Sequence, residues 1–239
     1  MSDFLTEFHA AAEAYGLSLT EEQFQQFDRY ATLLLEWNTR MNLTALTEPR
    51  DVAVKHMIDS LSAYDAQLFA GQPTVIDVGT GAGFPGLPLK IFAPHIHLTL
   101  MDSLAKRVSF LEAVVQELGL DGVRCIHARA EEAARDKAHR ERYDLVVSRA
   151  VARLPVLLEY TLPFVKKGGH LLALKGRAWE EELADSKRSL KLLGGTVRET
   201  RPVRLPGLDD QRAVLVIEKT APTPKAYPRK AGTPAKKPL

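Results

Sequence analysis

The sequence predicts an α/β fold: a seven-stranded, mostly parallel sheet with its last strand antiparallel, preceded by an N-terminal helical segment. Three observations carry this. Strand-like and helix-like stretches alternate from residue 74 onward, the mark of a parallel sheet covered on both faces. The last two strand-like stretches are joined by a short non-helical link through Pro206-Gly207, too short for a parallel crossover. About seventy residues of helical periodicity precede the first clear strand.

Taken in order, Phe4, Leu5, Phe8, Ala12 and Tyr15 form one helical stripe that Gly16 stops. Thr20-Glu21-Glu22-Gln23 has the form of a capping box and opens a second helix that buries Phe24, Phe27, Ala31 and Leu34. Residues 37–43 read as its frayed end, and a third helix is expected from 51 to about 66. Strands follow at 74–78 and 96–101; Ser103 is placed to cap a helix carrying Leu104, Val108, Leu111, Val115 and Leu118, stopped by Gly119. Further strands are expected at 123–128, 143–148 and 170–175, the last entered through Gly168-Gly169 after a helix over 154–165. One polar helix over 179–193 leads to the final strands, 196–205 and 213–219. The organisation reads as a helical extension over 1–70, a core over 71–219 and a basic Pro/Lys-rich tail over 220–239 that is extended or mobile.

Hydrophobic residues at 45% and charged residues at 26% fit an ordinary globular core and exclude wholesale disorder. Asp3 and Glu7 stand where a secretory leader would be apolar, no apolar run reaches bilayer length, and the lone Cys125 fits a reducing compartment. The expectation is a cytoplasmic protein with no membrane role. Net charge is +2, but the tail alone carries +5 from Lys225, Arg229, Lys230, Lys236 and Lys237, leaving −3 for the rest. A nucleic-acid partner would be held by local basic patches and this tail, although basic tails also serve solubility alone.

The central signal is Asp77-Val78-Gly79-Thr80-Gly81-Ala82-Gly83-Phe84-Pro85-Gly86. Glycines let a backbone turn sharply off a strand and approach a ligand. The next strand ends in Asp102, 19 residues after Gly83, where a carboxylate can accept from both hydroxyls of a ribose. The spacing Gly81-x-Gly83-x-x-Gly86 also fits a dinucleotide fingerprint, so a nicotinamide-dependent oxidoreductase is one reading. Three features favour S-adenosylmethionine. Asp77 stands two residues before the first glycine, where methyltransferases commonly carry an acid. Phe84-Pro85 puts bulk and a residue without N–H where a pyrophosphate would dock. The chain also ends without a second, substrate-binding domain. Seven strands with a final antiparallel pair make the class I (Rossmann-like) methyltransferase fold.

Eliminations narrow the acceptor atom. Pyrimidine C5 needs a cysteine nucleophile, and Cys125 lies mid-strand as a small core residue. Exocyclic amines use an Asn/Asp-Pro-Pro-aromatic turn after the fourth strand, where this chain has Ser148-Arg149-Ala150-Val151. A purine ring nitrogen such as guanine N7 needs neither device, since alignment and water exclusion suffice. Arg149 offers paired donors to a guanine edge, to phosphate or to the cofactor. His56, Asp59 and Ser60 share one helical turn and read as helix capping or RNA contact; His95-x-His97 lacks further metal ligands nearby. Lys166-Lys167, Lys175-Gly176-Arg177 and Arg198/Arg201/Arg204 are phosphate contacts or solvated charge.

These motifs together resemble the bacterial small-subunit ribosomal RNA methyltransferase G family, also called glucose-inhibited division protein B. The likeness covers nearly the whole chain: Trp37-Asn38 with Met41-Asn42-Leu43-Thr44, His56 through Asp59-Ser60-Leu61, the glycine loop with its Phe84-Pro85-Gly86 ending, Asp102-Ser103-Leu104 with Lys106-Arg107, Ser148-Arg149-Ala150, and Tyr227-Pro228-Arg229-Lys230-Ala231-Gly232-Thr233-Pro234. The resemblance implies N7 methylation of one guanine in the decoding-region loop of 16S rRNA, within the small ribosomal subunit. A monomer that does not bind DNA is the further expectation. It implies cofactor contacts at Gly79, Phe84, Asp102, Ala130, Glu131 and Arg149, with Glu131 reading the adenine edge and Phe84 as an apolar wall. An RNA-binding protein with a vestigial pocket is the other alternative.

Overall fold

The computed structural model describes residues 2–239. Helix α1 (Asp3–Tyr15) begins where the Ser2 hydroxyl accepts from Leu5 N and ends at left-handed Gly16. Helix α2 (Glu21–Met41) opens on the expected capping box, Thr20 and Gln23 satisfying each other's backbone N–H. Its exit is ordered, not frayed. Asn42 takes the left-handed conformation, and the Asn38 side chain accepts from Thr44 N at 2.9 Å. The third helical stretch is shorter than expected and of mixed type: α3 (Pro49–Asp51), a π-helix (Val52–Ile58) and α4 (Asp59–Leu61). Its end tightens into i→i+3 bonds, Ala63 N to Ser60 O and Tyr64 N to Leu61 O, and beyond it the Asp65 carboxylate accepts from Gln67 N and Leu68 N and turns the chain.

The strands are β1 (Thr74–Val78), β2 (His97–Asp102), β3 (Val123–His127), β4 (Tyr143–Arg149), β5 (Val165–Lys175), β6 (Gly195–Val203) and β7 (Arg212–Lys219). Between them run α5 (Gly86–Phe92), α6 (Ala105–Glu117), α7 (Ala130–Ala133), α8 (Leu154–Thr161), α9 (Trp179–Asp185) and α10 (Lys187–Leu193); α11 (Thr233–Lys236) lies in the tail. Three expectations change. Ser103 does not cap α6, which begins after Leu104 with no side-chain cap; Leu104 N is instead bound by Asp102 Oδ1 at 2.9 Å. The helix over 154–165 ends early in a 3-10 turn, and β5 starts at Val165, absorbing Gly168-Gly169 through a shift of register against β4. The polar helix over 179–193 is two helices broken at Ser186.

The sheet order is β3-β2-β1-β4-β5-β7-β6. Strands β1 to β5 pair in parallel, and β7 runs antiparallel to both β5 and β6, as the short Pro206-Gly207 link requires. The order reverses between β1 and β4, so a crevice opens at their C-terminal ends. Alternation along each strand feeds two cores. Val75, Leu145 and Val147 face a cluster shared with α1, α2 and the π-helix through Phe8, Phe27, Tyr30 and Met57. Ile76, Val146 and Leu171 face the other side with Leu157, Leu162 and Leu193. The N-terminal helices thus cover one face of the sheet. Each fully buried aromatic there contributes about 1.5–3 kcal/mol.

Candidate active site

The glycine loop is built around one buried acid. Asp77, fully buried on β1, accepts at Oδ2 from the Thr80 hydroxyl (2.6 Å) and from Gly86 N (2.8 Å). Its Oδ1 is buried with no hydrogen-bond partner among the described residues. Burial raises its pKa to about 7. The loop is held from outside as well: Tyr30 of α2 donates its hydroxyl to Ala82 O at 2.5 Å. Gly79 has φ +73, and a Cβ there would lie 2.7 Å from Val151 Cγ2, so only glycine leaves this turn open.

Two cavities lie at this edge of the sheet, one against the turn and one beyond the exit of β4. The smaller, about 200 Å³, is lined by Val78, Gly79, Met101, Asp102, Ser103, Ala128, Arg129, Ala130, Glu131, Val151 and Tyr160. Asp102, only 4% exposed, already accepts from Gly81 N and Leu104 N at 2.9 Å each. Arg107 Nη1 adds a long contact to Oδ2 at 3.5 Å; of a carboxylate's roughly four acceptor sites one is therefore free for a ribose hydroxyl, and the second hydroxyl would displace Arg107. Glu131, also buried, accepts at Oε1 from Gly232 N at 2.8 Å.

The larger cavity, about 590 Å³, is lined by Leu46, Lys55, His56, Asp59, Arg149, Ala150, Leu174, Lys175, Gly176, Asp210 and Arg212. At its floor Asp59 holds two arginines, Arg149 at 2.8 Å through Oδ2 and Arg212 at 3.2 Å through Oδ1. Arg149 also donates to Lys55 O (2.9 Å) and to His56 Nδ1 (3.1 Å), and its guanidinium sits 4.8 Å from the Phe84 ring centre. Because a guanidinium only donates, Nδ1 of His56 accepts and Nε2 carries the proton, donated to the Thr44 hydroxyl at 2.7 Å. Burial and the Arg149 charge push His56 down to about 3. The Phe84 ring stacks on His56 at 4.4 Å. The π-helix lets Lys55 O and the His56 ring both meet Arg149, a use typical of such segments.

The family model described as rRNA small subunit methyltransferase G matches residues 23–208. This chain belongs to that family. Proteins called Ribosomal RNA small subunit methyltransferase G from Alkaliphilus metalliredigens (strain QYMF) and Desulforamulus reducens are 52% and 48% identical to it, over 94% and 100% of this chain and the same shares of their own lengths. Among solved structures, TYW2 of M. jannaschii in complex with AdoMet superposes with a TM-score of 0.51 at 17% identity, covering 67% of this chain and 76% of that one. Likeness at that identity shows the fold, a class I Rossmann-like methyltransferase sheet. The oxidoreductase alternative finds no support among these relatives.

In this methyltransferase four of the six sequence-expected contact residues, Gly79, Asp102, Ala130 and Glu131, meet in the smaller cavity. Phe84 and Arg149 do not line it. Phe84 is buried beneath His56 and Arg149, so its ring is a support, not the expected wall of that cavity. His56 and Asp59 do not act as helix caps; they clamp Arg149 at the wall of the larger cavity, while Ser60 Oγ donates to His56 O at 2.6 Å. Of the basic runs, Lys175 is bound to Glu182 and Ala152 O, Lys166 to Asp144, Arg198 to Glu218, and Arg201 to Asp65. Sequence reasoning missed Tyr30, Thr44, Tyr160 and Arg212. Thr44 stands in the Met41-Asn42-Leu43-Thr44 motif, which gave it no role; the other three come from distant segments with no local signal. Among the described residues no cluster of His, Cys, Asp or Glu could hold a metal ion, and no helix is long and apolar enough to cross a membrane.

Proposed function

We propose that this methyltransferase carries a methyl group from S-adenosylmethionine to N7 of a guanine in the decoding-region loop of 16S rRNA. The observation that carries the reading is the pair of adjoining cavities at the C-terminal ends of β1, β2 and β4. One is lined by a glycine turn and two carboxylates, the other by Lys55, Arg149, Lys175 and Arg212. The residues fit the cofactor. Gly79 leaves room at the turn, Asp102 has a free acceptor for one ribose hydroxyl and a second once Arg107 is displaced, and Glu131 has acceptors for the adenine edge. Arg149, supported by the buried Phe84 ring beneath it, is the group that would meet the methionine end from the larger cavity.

When bound, S-adenosylmethionine supplies an electrophilic methyl on a sulfonium. The in-plane lone pair of guanine N7 forms the new C–N bond as the C–S bond breaks, leaving a cationic 7-methylguanine and S-adenosylhomocysteine. No proton leaves the reacting nitrogen, so no general base is needed. The protein's part is alignment and exclusion of water. Arg149 and Arg212 are fixed by Asp59 and have donors for a guanine edge or phosphate. The substrate is RNA of the small subunit, which implies a cytoplasmic protein; neither DNA nor a membrane has a part, and the chain acts as a monomer. Residues 1–70 act as a cover on the 71–219 core.

Mass spectrometry of 16S rRNA from cells with and without this protein tests the product: 7-methylguanosine in that loop is present only with it. Calorimetry tests the pocket. Wild-type protein binds S-adenosylmethionine, and Asp102→Ala weakens binding by about 1–3 kcal/mol as charge-assisted hydrogen bonds are removed. Absence of wild-type binding would end the assignment.

A further inference from the structure

The C-terminal tail is neither extended nor loose. Glu159 of α8 is fully buried, and Arg229 satisfies it from three directions: its backbone N and Nε reach Oε1 at 2.7 and 2.9 Å, and its Nη2 reaches Oε2 at 2.6 Å. Arg135 donates to Pro228 O at 2.5 Å, and Arg140 donates to Tyr227 O and Thr223 O at 2.9 and 2.8 Å. Tyr227 and Leu239 pack against the core beneath α8. Three residues beyond Arg229, at φ +78, Gly232 donates its N–H to Glu131 Oε1 at 2.8 Å. Tyr160, next to Glu159, and Glu131 both line the smaller cavity.

A glutamate side chain loses roughly 1.5–2 kcal/mol of rotamer entropy when ordered, and a binding group performs best when neighbouring hydrogen bonds have already ordered it. Helix α7, which carries Glu131, is four residues long and does little to restrain it. We infer that the tail segment 229–232 is a positioning element for cofactor binding: Arg229 locks onto Glu159, which brings Gly232 N–H to Glu131 and fixes its carboxylate at the cavity wall. The inference rests on the reading of Glu131 as a cofactor contact.

The test is calorimetric titration of S-adenosylmethionine into full-length wild type, Arg229→Lys, Glu131→Ala and the double variant, with kcat and KM for cofactor on small subunits. Lysine keeps the charge against Glu159 but cannot supply the guanidinium's fork. Arg229→Lys is expected to raise Kd about fivefold and Glu131→Ala about tenfold, while the double variant stays near tenfold, since coupled residues are not additive. The KM for cofactor rises with Kd, and in Arg229→Lys, which does not touch the cavity, kcat at saturating cofactor stays within about twofold. Multiplying effects, or an unchanged Kd for Arg229→Lys, would overturn the inference and leave the proposed function standing. Unchanged cofactor affinity with weaker, less salt-dependent RNA binding would also overturn it and make the segment an RNA arm. An unchanged Kd in Glu131→Ala sinks the reading of Glu131 itself. Should Arg229→Lys fail to fold, Arg135→Ala releases Pro228 O from an exposed side chain and carries the same comparison.

Discussion

At the residue scale the site depends on three buried ionisable groups, each governed by its neighbours. His56 is pushed to about 3, so the folded state refuses a proton that the unfolded chain takes up near 6.5. Its contribution to stability is therefore present above about pH 6.5 and lost as pH falls toward 3. Asp77 works in the opposite sense. Raised to about 7, it keeps a proton that the unfolded chain releases near 3.8, so stability falls as pH rises from about 4 to 7. The two slopes oppose each other between about pH 4 and 6.5. Asp77→Asn, which preserves an oxygen for Thr80 and Gly86, removes the second slope. Urea unfolding of that variant across pH 4 to 8 is expected to show stability rising more steeply up to about pH 6.5 and then levelling, where the wild type still declines toward pH 7. Asp59 has a different part: it bridges Arg149 and Arg212, and Asp210 on Arg212 supplies the second negative charge. Asp59→Asn should lower stability by about 1–3 kcal/mol in urea and raise the KM for RNA more than that for cofactor.

At the element scale the decisive feature is the exit of β4. Ala150 has φ +56, a turn that sends Arg149 into one cavity and Val151 into the other. The left-handed turn at Gly79 packs directly beneath Val151. Gly79→Ala would combine an unfavourable φ with a Cβ 2.7 Å from Val151 Cγ2. Thermal denaturation should show a destabilisation of about 1–2 kcal/mol, and cofactor affinity should fall in parallel as Val151 is driven into the cavity. Glycines and their spacing made this turn legible. The π-helix was not legible, because π and α segments share a residue pattern and differ only in which carbonyl each N–H meets. The break at Ser186 was hidden for a related reason: apolar periodicity continues through it from Leu183 to Leu190.

At the scale of the whole molecule the tail's charges divide into two kinds. Arg229 is committed inside the fold to Glu159, while Lys225, Lys230, Lys236 and Lys237 face outward. Removing residues 220–239 would therefore confuse weaker RNA binding with loss of Tyr227 and Leu239 from the core and exposure of Glu159. Changing the four lysines to alanine separates them. Binding to small-subunit RNA should weaken, and its dependence on log salt should flatten by about 0.7 for each phosphate no longer neutralised, with S-adenosylmethionine affinity unchanged. A constant salt slope would assign these lysines to solubility.

The sequence by itself determined the order of strands and helices along the chain, the antiparallel ending, the glycine turn, the Asp102 acid one strand away and the family. Each of these is written in short-range pattern: period, spacing and turn chemistry act over a few residues. Only the tertiary structure decided that Phe84 lies under His56 and not in the smaller cavity, that Asp59 binds arginines from β4 and β7, and that Gly232 closes on Glu131. Those partners stand tens to over a hundred residues apart. A buried charge takes whichever complementary group the packed chain delivers to it, and nothing local to either residue encodes that meeting.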